Sequence, residues 1–340
     1  MSKARIAYLD VIRIFACFLI ITMHAPMKNM GTDSHILSSI SLLTASGIGL
    51  FFMVSGALVL PIKELTSVFL HRRLTKVVFP TLFWTFFYLI LRIITTDMST
   101  GDLLKQICSI PFTHRGHSIL WFMYTLIGLY LLAPIITPWL QKASKREIEW
   151  VLFLWGITLC YPLLSYIIKV NVSKTGMLYY FSGYAGYFLL GYYLHTYQIK
   201  VKWWHIVALL IIPLLAATGF KLTHTPINFY TVFWYHSIFI VMMCIGWFCL
   251  FQKIDKQIPH YPFITLLSNC CFGIYLIHIF IMRSIMWKCS FITAYGGVMQ
   301  IILTIILTCV VSFVIVWCIS KLPYSQYIIG YKSRQNNHPS

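Results

Sequence analysis

Long apolar stretches, separated by Pro, Gly and short polar or charged clusters, run through this chain almost from end to end. Ten of them, at 8–28, 37–60, 76–96, 118–139, 149–168, 178–197, 204–220, 230–251, 263–282 and 296–319, reach or approach the roughly 20 residues that an α-helix needs to cross a hydrocarbon core. They lack the short alternation of apolar and polar positions that marks the strands of an outer-membrane barrel. The pattern therefore predicts an all-α fold, a polytopic transmembrane helix bundle of about ten spans. The N-terminal MSKARIAYLDVIRIF starts weakly positive, but its apolar run carries charge and has no small-residue cleavage site, so it reads as a retained first helix rather than a signal peptide. No soluble domain fits between the spans and no repeat of fixed period is visible. One membrane domain is expected over residues 1–320, with a polar cytoplasmic tail over 321–340.

Composition strengthens this reading. Of 340 residues, 59% are hydrophobic and 10% charged, and the mean hydropathy is +0.79, whereas a soluble fold of this length needs far more charge to cover its surface. The net charge of +18 raises nucleic acid as a partner, but no basic run interleaved with aromatics stands outside the apolar segments. Topology explains the excess instead. With the N-terminus in the cytoplasm, sixteen of the 26 Lys and Arg residues fall on the inner side and eight on the outer, a bias that puts both termini inside. The ten cysteines contain no CxxC pair, and most sit within apolar runs where a thiol behaves as a small hydrophobe. Cys108 and Cys289 are expected outside, where a disulfide depends on their proximity.

Within this frame, a few polar residues stand out because they are costly in hydrocarbon and commonly functional there. The first span, YLDVIRIFACFLIITMHA, carries Asp10, Arg13 and His24. Arg13 and His24 are separated by about 1100° of helical turn, about 20° from the same face, and by about 16 Å along the axis. Asp10 stands at i,i+3 to pair with Arg13. A structural ion pair with an interfacial histidine would account for these three; so would a polar line along a cavity, with His24 as a general base. At the start of the third span, HRRLTKVVFP gathers Arg72, Arg73 and Lys76. Positive-inside bias explains such clusters, and Arg73 and Lys76 on one helix face also suit a phosphorylated ligand. THRGHSILWF places His114, Arg115 and His117 ahead of Trp121 at the outer mouth of the fourth span. Trp121 suits a membrane anchor or a sugar-binding surface, and no further ligand set accompanies the HxxH pair, so no metal is expected. In the ninth span, SNCCFGIYLIHIFI puts Tyr275 and His278 at i,i+3, where interhelical hydrogen bonding is a sufficient role and lining a site is another.

Taken together and in order, these segments resemble the acyltransferase family 3 membrane proteins, which include bacterial O-acetyltransferases of surface polysaccharides. Asp10, Arg13 and His24 look like the family's opening pattern of an acid, an Arg, and a His after ten intervening positions. FFMVSG at Phe51 to Gly56, RRLTKVVFP at Arg72 to Pro80, LWFMYTLIGLYLLAP at Leu120 to Pro134, GYFLLGYYL at Gly186 to Leu194 and FGIYLIH at Phe272 to His278 resemble its further signatures. Lys76 replaces the commoner second-turn Arg, keeping charge but losing a bidentate fork, and Ile14 follows Arg13 where the family often has Gly. Without a fused hydrolase-like domain, the chain reads as a stand-alone form.

The resemblance implies an enzyme of a bacterial cytoplasmic membrane that moves an acetyl group from cytosolic acetyl-CoA to a sugar hydroxyl of a cell-surface or lipid-linked glycan. It implies Arg72, Arg73 and Lys76 at the donor phosphates and Arg13, steadied by Asp10, along the path of the acyl end. It implies His24 as the base or as the nucleophile of a relay, and His117, Trp121, Tyr275 and His278 as lining of the acceptor site. Between direct transfer and relay the sequence does not choose. A transporter or flippase of a lipid-linked glycan is a rival from another class, although it would favour paired discontinuous helices in two related halves. An inactive family member acting as a membrane partner is a third.

Overall fold

Backbone polar groups in hydrocarbon must be satisfied within their own segment, which leaves helices as the elements available to a chain of this pattern. The computed structural model describes residues 5–26, 34–96, 99–110, 120–169, 176–223, 225, 227–258 and 261–333, and among them there are helices and no strands. In chain order the helices are α1 (Ala7–His24), α2 (Ser34–Thr44), α3 (Ser46–Val59), α4 (Thr66–Thr95), α5 (Thr100–Ser109), α6 (Trp121–Lys142), α7 (Lys145–Leu159), α8 (Tyr161–Ile168), α9 (Ala185–Tyr197), α10 (Trp203–Leu222), α11 (Phe229–Val232), α12 (Ile238–Lys253), α13 (Pro262–Ser284), α14 (Ser290–Thr293), α15 (Gly297–Ser320) and α16 (Gln326–Ile329). This is the all-α polytopic bundle that the pattern predicts.

Seven of these segments are long and apolar enough to cross a membrane, and an eighth counts if α7 and α8, bent by 41° at their junction, form one broken span. Each of the ten expected spans contains a helix, but α9 and α12, at 13 and 16 residues, are shorter than the sequence suggested. Both are packed inside the bundle rather than against lipid. Every residue of α9 from Gly186 to Leu194 is buried, as is every residue of α3 except Ser55 and Leu58. These two helices cross closely because two glycines permit it. A Cβ on Gly56 would lie 1.8 Å from the Phe188 carbonyl oxygen, and one on Gly191 would lie 1.9 Å from that of Met53. The outer helices show the reverse pattern. On α15, Ile302, Ile306, Val310 and Val314 recur every fourth residue and are exposed, a stripe suited to lipid.

Helices α1 and α13 lie side by side and run in the same direction. Near their N-terminal ends Ser268 meets Asp10; midway the Cys17 thiol approaches the Cys271 carbonyl at 3.7 Å; toward their C-terminal ends His24 faces His278. The start of α1 is capped from a distance, because the Asp255 carboxylate accepts the Tyr8 N–H at 3.0 Å and satisfies one of the orphan donors of the first turn. Helix α4 begins ten residues before the expected span, so its basic cluster lies within the helix rather than ahead of it.

The segment expected as a polar tail folds back onto the bundle as far as residue 333. Ile329 is fully buried, the Trp84 indole N–H donates to the Ile328 carbonyl at 2.9 Å, and the Ser333 N–H donates to the Ser320 carbonyl at 2.9 Å. Pro80 explains where the turn docks. Proline has no N–H, so the Lys76 carbonyl one turn earlier lacks its usual helical donor. Gly330 packs against that carbonyl with φ +69°, and a Cβ there would come within 2.9 Å of it and 2.7 Å of Phe272. All ten cysteines are free thiols, Cys108 and Cys289 included.

Candidate active site

At the N-terminal end of α1, a buried carboxylate organises the polar side chains. Asp10 is 6% exposed, a position a carboxylate holds only when its oxygens are occupied. The Arg5 guanidinium is bonded to both of its oxygens, with Nη2 donating to Oδ1 at 3.1 Å, and reaches the Asn269 amide oxygen at 2.9 Å. Ser268 Oγ donates to Asp10 Oδ1 at 2.6 Å and accepts from Arg13 Nη1 at 3.0 Å. The expected pairing of Asp10 with Arg13 is present but longer, at 3.6 Å. Arg5 takes the closer place, and Ser268 bridges the other two. The network leaves Arg13 free to turn its remaining donors toward an adjoining cavity.

That cavity, about 250 Å³, lies between α1, α3, α4, α6, α13 and the C-terminal turn, and its wall includes Arg13, Arg73, Lys76, Tyr130, Tyr275 and Tyr331. Arg73 and Lys76 share it because i,i+3 residues stand on one helix face. Arg72 is turned by about 100° from Arg73, and its guanidinium instead pairs with Glu64 at 2.5 Å on the surface. Two of the three cations expected around a phosphorylated donor thus line the cavity and the third does not. The Arg73 guanidinium carbon lies 5.9 Å from the centre of the Tyr130 ring, and its buried Nε has no hydrogen-bond partner among the described residues. An unpaired buried donor is uncommon and calls for an acceptor from elsewhere.

The histidines lie deeper. Tyr275 reaches the cavity, and its ring centre is 5.6 Å from that of His278, which is in turn 5.5 Å from that of His24. His278 is fully buried, with Nδ1 2.6 Å from the Tyr275 carbonyl oxygen. A carbonyl only accepts, so Nδ1 carries the proton and Nε2 presents a lone pair. Nε2 has no partner among the described residues. Trp121 lies off this cavity in an aromatic group, 5.4 Å from both Tyr184 and Tyr235, and the Tyr235 hydroxyl reaches Met23, the neighbour of His24, at 3.4 Å. Phe122 joins the two regions, 5.2 Å from Tyr275 and beside Trp121. His117, with His114 and Arg115, lies outside the described residues. Among the described residues no group of three or more His, Cys, Asp or Glu side chains is arranged to hold a metal ion.

Comparison with protein families gives a match to the acyltransferase domain of acyltransferase family 3 over residues 6–318, nearly the whole chain. The chain belongs to this family. No curated protein and no solved structure matches it. Family membership makes this a membrane acyltransferase by type, and it gives the two kinds of signature different structural meanings. The glycines of FFMVSG and GYFLLGYYL seat α3 on α9, whereas the basic motif and the opening Arg meet at the cavity.

Sequence reasoning missed Arg5, Ser268 and Tyr331. In the sequence Arg5 reads as one more positive charge ahead of the first span. Ser268 and Asn269 were legible as a polar pair in an apolar helix, but nothing local pointed to Asp10. Tyr331 has no sequence signal, because its position depends on a turn docking across the bundle.

Proposed function

We propose that this protein transfers an acetyl group from cytosolic acetyl-CoA to a hydroxyl of a cell-surface or lipid-linked glycan, in the cytoplasmic membrane of a bacterium. Both termini would then face the cytoplasm. The observation that carries the reading is one cavity lined by Arg13, Arg73 and Lys76, with Tyr275 in its wall and His278 and His24 in succession beyond it. Arg73 and Lys76 suit the donor phosphates by charge and by the unpaired Nε. His24 lies about 16 Å from Arg13 along α1. A donor whose phosphates and thioester are joined by a long flexible arm suits that separation.

In the direct route, an imidazole nitrogen of His24 takes the proton of the sugar hydroxyl as its oxygen attacks the thioester carbonyl carbon. The carbon–sulfur bond breaks, the sulfur leaves as the thiolate and takes a proton, and the acetyl ester remains on the sugar. Asp10 and Ser268 hold Arg13 in place, and the aromatic group around Trp121 suits the apolar face of a sugar ring. The route calls for no metal.

Equilibrium binding of acetyl-CoA to the purified protein, read beside acetyl transfer to isolated envelope glycan, tests this. Arg73→Ala is expected to weaken binding by at least about ten-fold, the equivalent of one charge-assisted contact. His24→Ala is expected to retain binding and lose transfer by at least about a hundred-fold. Absence of saturable binding to folded wild-type protein would overturn the reading.

A further inference from the structure

The end of the bundle at which α1 begins carries another group of cations, apart from the donor cavity. Residues 198–202 join α9 to α10 and lie beside the last turn of α12. Two cavities adjoin here and share Ile199, Lys200 and Val201. The first, about 330 Å³, is polar at its edge, where Gln252 and Lys253 line it. The second, about 410 Å³, continues along α10 past His205, Ala208, Leu209 and Ile212 to Met242 of α12, and is apolar beyond His205.

The geometry has a direction and a depth. Trp203 and Trp204, 54% and 61% exposed at the start of α10, mark the level of the membrane interface. From Trp203 to Ile212 the helix descends about 14 Å. That is about half of a hydrocarbon core of about 30 Å, the depth of one leaflet. Over that length the wall is apolar, formed by Ala208, Leu209, Ile212 and Met242, which suits an acyl chain.

Charge selects among chains. Neither cavity is lined by a carboxylate. The ion pairs within 4.0 Å among the described residues do not include Lys200, Lys202 or Lys253. The Lys253 ammonium is held at the groove by donating to the Val201 carbonyl at 2.8 Å and by the Trp203 ring, whose centre is 5.1 Å away. We propose that this groove binds one anionic phospholipid of the adjacent leaflet. Its phosphate sits at Lys200 and Lys253, and one acyl chain lies between α10 and α12, from Ala208 to Ile212 and Met242.

Mass spectrometry of the intact protein released from detergent micelles, titrated with phosphatidylglycerol or phosphatidylcholine of equal chain length, tests the proposal. The wild type is expected to retain one phosphatidylglycerol in preference to phosphatidylcholine. Lys200→Ala removes one cation near the surface and is expected to weaken phosphatidylglycerol retention about five-fold without changing phosphatidylcholine. Ala208→Phe fills the chain groove and is expected to weaken both lipids. Ile212→Trp repeats that test at an exposed position of the groove should Ala208→Phe fail to fold. Equal retention of the two lipids by wild type would overturn the site, as would unchanged phosphatidylglycerol binding in folded Lys200→Ala and groove-filling variants.

Discussion

Asp10 and Arg72 show how an ion pair has different consequences at different depths. Asp10 is buried among Arg5, Ser268 and Arg13, so Asp10→Ala leaves two cations without their carboxylate. The expected loss is about 3 kcal/mol, the scale of breaking a buried pair by removing one partner. Ser268→Ala removes a bridging hydroxyl and is expected to lose about 1 kcal/mol. Thermal melting in detergent orders the two, and equal melting temperatures would contradict the network. Arg72 pairs with Glu64 on the surface, so Arg72→Ala is expected to change stability by less than about 1 kcal/mol. It should also leave acetyl-CoA affinity within about three-fold of wild type, while Arg73→Ala does not. A titration in which Arg72→Ala binds as poorly as Arg73→Ala would place the donor elsewhere. The two arginines are adjacent in sequence and both formally suited to phosphate. Only their rotation around α4 separates them.

Among the helices, α3 crosses α9 closely, and glycine makes it possible. Gly56→Ala or Gly191→Ala would drive a methyl into a backbone carbonyl, which no rotamer change relieves, and is expected to destabilise by about 3 kcal/mol. Gly128→Ala in α6 is the control, since a Cβ there meets nothing within 4 Å. It is expected to be neutral or to stabilise by up to about 1 kcal/mol. Differential scanning fluorimetry of the three variants reads this contrast. Helix lengths show where apolar pattern misleads. The stretches at 178–197 and 230–251 have the length of membrane spans, yet α9 and α12 are short. An element surrounded by other helices need not reach both membrane surfaces, and hydropathy does not distinguish a protein neighbour from a lipid one.

Across the whole molecule, the C-terminal turn closes the cavity wall, so its removal should act like a core deletion. Truncation after Leu322 removes buried Ile329, the Trp84 contact and Tyr331 from the cavity. It is expected to lower stability by about 2 kcal/mol, the scale of exposing one isoleucine, and to weaken acetyl-CoA binding. A truncated protein with wild-type melting and affinity would show the turn to be dispensable. Ile329 and Tyr331 stand just ahead of the polar run that begins at Lys332, and nothing near them announces that they pack on the bundle. The bundle itself was legible because length and hydropathy are properties of each segment alone, and the family signatures were legible because they are local strings. Arg13 and His24 could be set on one helix face by angular arithmetic within α1. The tertiary structure alone decided that Arg5 rather than Arg13 lies closest to Asp10, that Arg73 and Lys76 face the cavity without Arg72, that His278 meets His24, and that the C-terminal turn docks on the carbonyl freed by Pro80. Each of these joins residues from different helices, or depends on the rotation of one helix against another. Helical periodicity fixes angles within an element and carries no information about which neighbour stands opposite.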